Sequence, residues 1–141
     1  MNENKKLSYF LKGRAKKVED RVKVIVSDRF LDEDGKLVPF EIRLLSGREI
    51  TKLQNSAVKS NKDMTNVEFD SGEFVSSLVI ACVEYPDLMD AELQDSYGVN
   101  NPRDLLDKML TGAEYVNLQK EIQKANGMLK DFKVLVNEAK N

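Results

Sequence analysis

Four carboxylates crowd the stretch YPDLMDAELQDSYGVNNP, where Asp87, Asp90, Glu92 and Asp95 are threaded through leucine, methionine and tyrosine. Carboxylates this dense could wrap a hard cation, act as a catalytic acid and base, or present a charged docking face. A calcium loop needs acids at alternate positions with a glycine in the middle, and here Gly98 lies beyond the last of them. Asp90 with Asp95, or Asp87 with Glu92, could approach as a catalytic pair, yet nothing polar nearby completes a site. A simpler account has Asp90 capping a short helix from Ala91 to Tyr97 that Gly98 ends. Leu88, Leu93 and Tyr97 then pack inward and the acids face solvent. DEDG, Asp32 to Gly35, also lacks the register of a calcium loop, and its Asp34-Gly35 dipeptide reads as a hairpin turn.

The remaining inventory narrows the chemistry further. The chain contains no histidine, which removes Ser-His-Asp and Cys-His nucleophilic systems, the usual zinc sites and the commonest general base near neutral pH. The single cysteine, Cys82, lies in the most apolar run of the chain, LVIACV, where a thiol behaves as a small hydrophobe. The seven glycines stand apart, and neither GxGxxG nor GxxxxGK[ST] occurs. No catalytic residue, metal or cofactor is therefore expected, and partner binding is the function class left.

The elements that must position these residues can be read from pattern. The 141 residues fit one domain, expected over 1–141, with a basic segment over 1–17, a β-hairpin over 18–45 and a helical part over 46–141. Within the basic segment, Leu7, Tyr9, Phe10 and Leu11 form a turn or two of helix that needs something to dock on. Val22, Val24 and Val26 fall on one face, and Val38, Phe40, Ile42 and Leu44 alternate with Pro39, Glu41 and Arg43, so two antiparallel strands flank Asp34-Gly35. Pro39 lacks an amide hydrogen, which places the second strand at a sheet edge or starts its pairing after that residue.

Ser46 and Glu49 form a capping box for an amphipathic helix over 46–60, whose stripe is Ile50, Leu53, Ala57 and Val58. The polar run Asn61 to Asn66 interrupts the pattern. Asp70 or Ser71 then caps a central buried helix, FVSSLVIACVEY, that Pro86 ends. Asn101-Pro102 starts another helix, Thr111 with Glu114 starts the next, and Gly127 stops it. Beyond Gly127 a helical stripe resumes through Met128, Leu129, Phe132, Leu135 and Val136. The fold class is α+β, with an N-terminal hairpin or small antiparallel sheet followed by about five helices.

Charge is distributed unevenly. Residues 1–30 hold nine basic and four acidic side chains, whereas residues 84–107 hold seven acidic and one basic, although the net charge is only −2. The basic segment lacks the repeats, zinc ligands or aromatic motifs of nucleic-acid binders, so no nucleic-acid partner is expected. No apolar run is long enough to span a bilayer and MNENKK is followed by no signal-like stretch, so no membrane association and a cytoplasmic location are expected.

Taken together, LSYFLKGRAKKVED, VIVSDRFLDEDGKLVPFEIRLLSGRE, ACVEYPDLMDAELQDSYGV, LLDKMLTGAEYVNLQKEIQKANG and LVNEAKN resemble the XkdN-like tail assembly chaperones of contractile-tailed phages and prophages of Gram-positive bacteria. The family's P-N/D-L-x-D-A-E-L-Q-D-S-Y-G-V segment is present as Pro86 to Val99, and its ML-x-x-G/A-E-Y turn as Met109 to Tyr115. Phe40 stands where the family has tryptophan, an exchange of one aromatic for another.

The resemblance implies an assembly factor working in the cytoplasm of the bacterial host. Such a protein coats the helix-rich tape measure protein, helps recruit tail tube subunits, leaves as the tube polymerises and is absent from the mature virion. Such chaperones often come with a second, longer form made by ribosomal frameshifting, which protein sequence does not show. The alternative is a structural minor tail or tail-completion protein. Two partner-binding regions are candidates: the acidic helix with Glu92 and Asp95, and the stripe Met128, Leu129, Phe132, Leu135 and Val136. Each has a plainer reading, solubilising charge for the first and packing on the chain's own core for the second. Self-association into a homo-oligomer stays open.

Overall fold

A computed structural model describes residues 5–128. Its sheet has three antiparallel strands, β1 (Arg21–Val24), β2 (Phe40–Arg43) and a third, Val83–Tyr85, with β2 in the middle. Val22 faces Ile42 and Val24 faces Phe40 across the first pair, so the alternating residues share the inner face. Pairing of β2 starts directly after Pro39, which places this proline at the start of a central strand. The two strands are not joined by a two-residue turn. Residues 25–39 make a longer excursion, closed by a bridge between Leu31 and Leu37. At its tip Gly35 takes a φ of 78°, and the Asp32 carboxylate accepts the Asp34 and Lys36 amides at 2.8 and 2.9 Å, a hairpin turn as expected.

Helix α1 (Gly47–Ser56) opens with both halves of its capping box. It ends before Val58, which corrects the expected helix over 46–60. Ala57 closes it, and Val58–Ser60 (β3) pairs with Val67–Phe69 (β4) in a separate hairpin. The polar run between them is that hairpin's loop, where the Asn61 side chain accepts the Thr65 amide at 2.9 Å. β-branched Val58 and Val67 favour this pairing over continued helix.

Helix α2 (Ser71–Cys82), capped by Asp70, buries Phe74, Leu78, Val79 and Cys82 and touches α1 and both later long helices. It too is shorter than expected. Val83–Tyr85 (β5) leaves the helix and pairs with β2, because proline at 86 disfavours helix before it and an open strand edge is available. The Arg43 guanidinium takes the Ala81 carbonyl at 3.1 Å, one of the acceptors that the helix end leaves without an intrahelical donor.

Helices α3 (Ala91–Ser96), α4 (Pro102–Met109) and α5 (Gly112–Ala125) follow, capped by Asp90, Asn101 and Thr111 as their sequences require. Both α3 and α5 finish in a glycine of positive φ: Val99 N–H bonds the Gln94 carbonyl at 3.1 Å, and Met128 N–H bonds the Gln123 carbonyl at 2.8 Å. One core cluster joins the sheet's inner face to α2, α4 and α5 through Ile42, Leu78, Leu105, Leu118 and Ile122. The fold is an antiparallel sheet region followed by a mainly helical region, as the sequence pattern predicts.

Polar links tie the helices to β2 and to the segments that flank it. Glu49 of the first capping box is held by Arg43 at 2.8 Å, and Glu114 of the second by Arg29, which also donates to the Met109 carbonyl at 2.8 Å. These arginines, together with the boxes' own backbone amides, hold both carboxyls down at about 2. Asn126 accepts the Leu45 amide at 2.9 Å and donates to the Ile122 carbonyl at 2.9 Å. Its amide also lies 3.7 Å from the Cys82 sulfur. That thiol is fully buried, and burial pushes it up to about 11, in keeping with a core role.

Candidate functional site

The four acids of the opening stretch divide into two pairs by what they touch. Asp90 accepts the Leu93 amide at 2.9 Å as the N-cap of α3, and Asp87 accepts the Met89 amide at 3.0 Å in the turn before it. These two carboxylates shape the backbone. Leu88 is buried, Leu93 and Tyr97 pack on the core, and Gln94 donates to the Leu88 carbonyl at 2.8 Å. With that face turned inward, Glu92 and Asp95 point to solvent, and among the described residues neither carboxylate has a hydrogen-bond or ion-pair partner.

The four acids therefore do not converge on a point where a cation or a reacting atom could sit. Among the described residues no group of three or more Asp, Glu, Cys or His side chains is placed to hold a metal ion. No described helix is long and apolar enough to cross a membrane.

Next to this acidic turn lies a groove of about 360 Å³, lined by Phe30, Leu31, Val38, Tyr85, Pro86 and Met109. Phe30 stacks on Phe40 with ring centroids 6.0 Å apart, which fixes the floor. Arg29 closes one side, its guanidinium 5.1 Å from the Phe30 ring and held by Glu114. The walls stay wet: Leu31 is 54% exposed and Tyr85 49%. Apolar side chains grouped around a concave floor make a surface suited to another chain's apolar residues. A second depression, between α2, α4 and the start of α5, is more polar. Its Arg103 is committed to Glu73 at 2.8 Å.

Sequence reasoning placed Glu92 and Asp95 where the structure has them, exposed on a short helix. It missed the groove, because Tyr85 was expected inside a buried helix. The signal available was an aromatic directly before a proline, a position biased toward extended backbone. Of the C-terminal stripe, Met128 is half-buried against the core, and Leu129, Phe132, Leu135 and Val136 lie outside the described residues.

The family model for the phage XkdN-like tail assembly chaperone protein matches residues 7–140. The phage-like element PBSX protein XkdN of Bacillus subtilis strain 168 is 32% identical over 139 residues, 96% of this chain and 93% of the relative. A second protein of that strain, named uncharacterized protein YqbN, is 31% identical over the same shares. The crystal structure of the protein YqbN superposes with a TM-score of 0.69 at 27% identity, covering 87% of this chain and 97% of that one. With matches across nearly the whole length of chain and relatives alike, the chain belongs to the XkdN-like family of phage tail assembly chaperones.

Proposed function

We propose that this tail assembly chaperone binds the tape measure protein before the tail forms, covers its apolar helical stripes, and helps bring tail tube subunits to it in the host cytoplasm. The observation that carries the reading is the open apolar groove at Phe30, Leu31 and Tyr85, with the exposed carboxylates Glu92 and Asp95 on the helix that follows Pro86 in the chain. Apolar contact of modest area gives affinity for many similar amphipathic segments, and charge at the margin sets orientation and on-rate. Release then requires no chemistry. Tube subunits polymerising around the tape measure compete for the same stripes, and mass action frees the chaperone.

Co-expression with the cognate tape measure protein tests this. The full chain is expected to keep the tape measure soluble and to co-purify with it, and Glu92→Lys with Asp95→Lys is expected to reduce recovery while leaving the chaperone's melting temperature unchanged. An insoluble tape measure in the presence of the wild-type chain would sink the proposal. Mass spectrometry of purified tails gives the second check, since a stoichiometric amount of the chain there would mark it as a structural component instead.

A further inference from the structure

The N-terminal arm is an unpartnered feature of a different kind. Residues 5–21 are all exposed, yet the arm is locally folded: Leu7–Phe10 form a 3-10 turn, and Arg14 and Ala15 amides close a second turn on the Leu11 carbonyl at 2.9 Å. With three residues per turn, positions three apart eclipse, so Leu7 and Phe10 share one edge, and both are 79% exposed. Around them Lys5 to Lys17 holds six basic residues and no acid. Among the described residues the arm is thus a short apolar edge set in positive charge, folded but with none of its side chains buried against the body.

The groove has the complementary character. Its floor and walls are apolar, and the exposed residues that follow its lining segments in the chain are Asp32, Glu33 and Asp34 after Leu31, and Asp87 after Pro86. Lys36 alone offsets them on that excursion, and Arg29 is already neutralised by Glu114. A volume of about 360 Å³ takes large side chains rather than a whole helix. We propose that the arm of one copy docks in the groove of a second copy, Leu7 and Phe10 entering it and the arm's lysines lying along the acidic rim. Each protomer then shields the other's groove, and a partner that occupies the groove displaces the arm.

Two full-length variants test this, each altering only exposed side chains that hold no described hydrogen bond to the backbone. One carries Lys5→Glu, Lys6→Glu and Lys12→Glu, and the other carries Glu33→Lys and Asp34→Lys. Sedimentation of the wild-type chain is expected to show association that rises with concentration and weakens with salt. Each variant alone brings like charges together and is expected to associate about tenfold more weakly. An equimolar mixture of the two is expected to restore association, since each arm now meets a rim of opposite sign on the other chain. Phe10→Ser is expected to abolish it. A wild-type chain that stays monomeric at high micromolar concentration overturns the proposal. So does association unmoved by either variant, or a mixture that remains monomeric, the outcome that docking of an arm on its own groove would give. None of these readouts involves the tape measure, so failure here is separable from failure of that role.

Discussion

Asn126→Ala should loosen the chain where its last described helix meets the sheet. The side chain gives three contacts: it accepts the Leu45 amide at 2.9 Å, donates to the Ile122 carbonyl at 2.9 Å and lies 3.7 Å from the Cys82 sulfur. Losing the first leaves the Leu45 N–H without an acceptor, a loss of about 1–3 kcal/mol for a buried donor. Leu45 is half-buried, so water recovers part of this and the lower half of the range applies. The Ile122 carbonyl keeps the Asn126 amide at 3.0 Å, so the second loss is under about 1 kcal/mol. The sum is about 2 kcal/mol, a fall in melting temperature of roughly 6–10 °C for a chain of this size.

Cys82 supplies an independent readout, being fully buried and the chain's single thiol. If labelling by a thiol reagent goes through unfolding, about 2 kcal/mol corresponds to a rate about thirtyfold higher. Asn126→Asp keeps the acceptor for Leu45 but loses both donors and sets a negative charge at the C-terminal end of α5, where the helix dipole is unfavourable. It should be no more stable than the alanine variant at neutral pH. A melting temperature unchanged in Asn126→Ala, or an aspartate variant as stable as the wild type, would refute the assignment of this side chain as a three-way tie.

Two further outcomes follow from the capping geometry. Glu49 and Glu114 sit at about 2 against an ordinary value of 4.5, so their contribution is fully present above pH 4.5 and is lost as pH falls from there through about 2. Asp70 and Glu73, lowered by Lys59 and Arg103, act with the same sign. Denaturant titrations from pH 6 to pH 2 should show the steepest loss inside that window, with a shallower slope in the Glu49→Gln, Glu114→Gln double variant; an identical slope would show that these two carboxyls do not set it. Gly98→Ala meets no atom within 4 Å but forces a side chain to φ +69°, and should destabilise by about 1–2 kcal/mol. Gly112→Ala, equally open but of ordinary φ, should be neutral or slightly stabilising, and equal melting temperatures for the two would contradict the backbone argument.

What was legible in the sequence is what is decided locally. Ser46 with Glu49, Asp70, Asp90, Asn101-Pro102 and Thr111 with Glu114 all start helices as read, because a cap is a bond between residues three apart. Gly98 and Gly127 end helices for the same kind of reason. What was not legible depends on partners distant in the chain. Val83–Tyr85 is only three residues long and follows directly on the apolar run LVIACV, so periodicity cannot tell it from the end of a buried helix; only the open edge of β2, some forty residues earlier, decides it. Val58 likewise fits a helical stripe until Phe69 is available to pair with it. Arg29, Arg43 and Asn126 gave no signal, since an arginine in a loop or at a strand end, or an asparagine at a helix end, is unremarkable until its partner is known.

The candidate site divides along the same line. Exposure of Glu92 and Asp95 follows from which face of a short, doubly capped helix carries Leu93 and Tyr97, so both acids could be placed on the surface from spacing alone. The groove could not, because it exists only once β5 joins the sheet and brings Tyr85 and Pro86 beside Phe30 and Val38. This bears on how the surface could work. Asp90 and Gly98 set both ends of the helix that carries the acids through bonds within a few residues, and Leu93 and Tyr97 seat it on the core, whereas the groove depends on the long excursion between β1 and β2 and on a three-residue strand. A partner that presses on the groove therefore acts on the part of the surface held by long-range pairing, while the acidic helix keeps its shape. The charged helix is then suited to orient a partner and the apolar groove to adapt to it, a division that fits the role proposed above, in which many similar stripes are met.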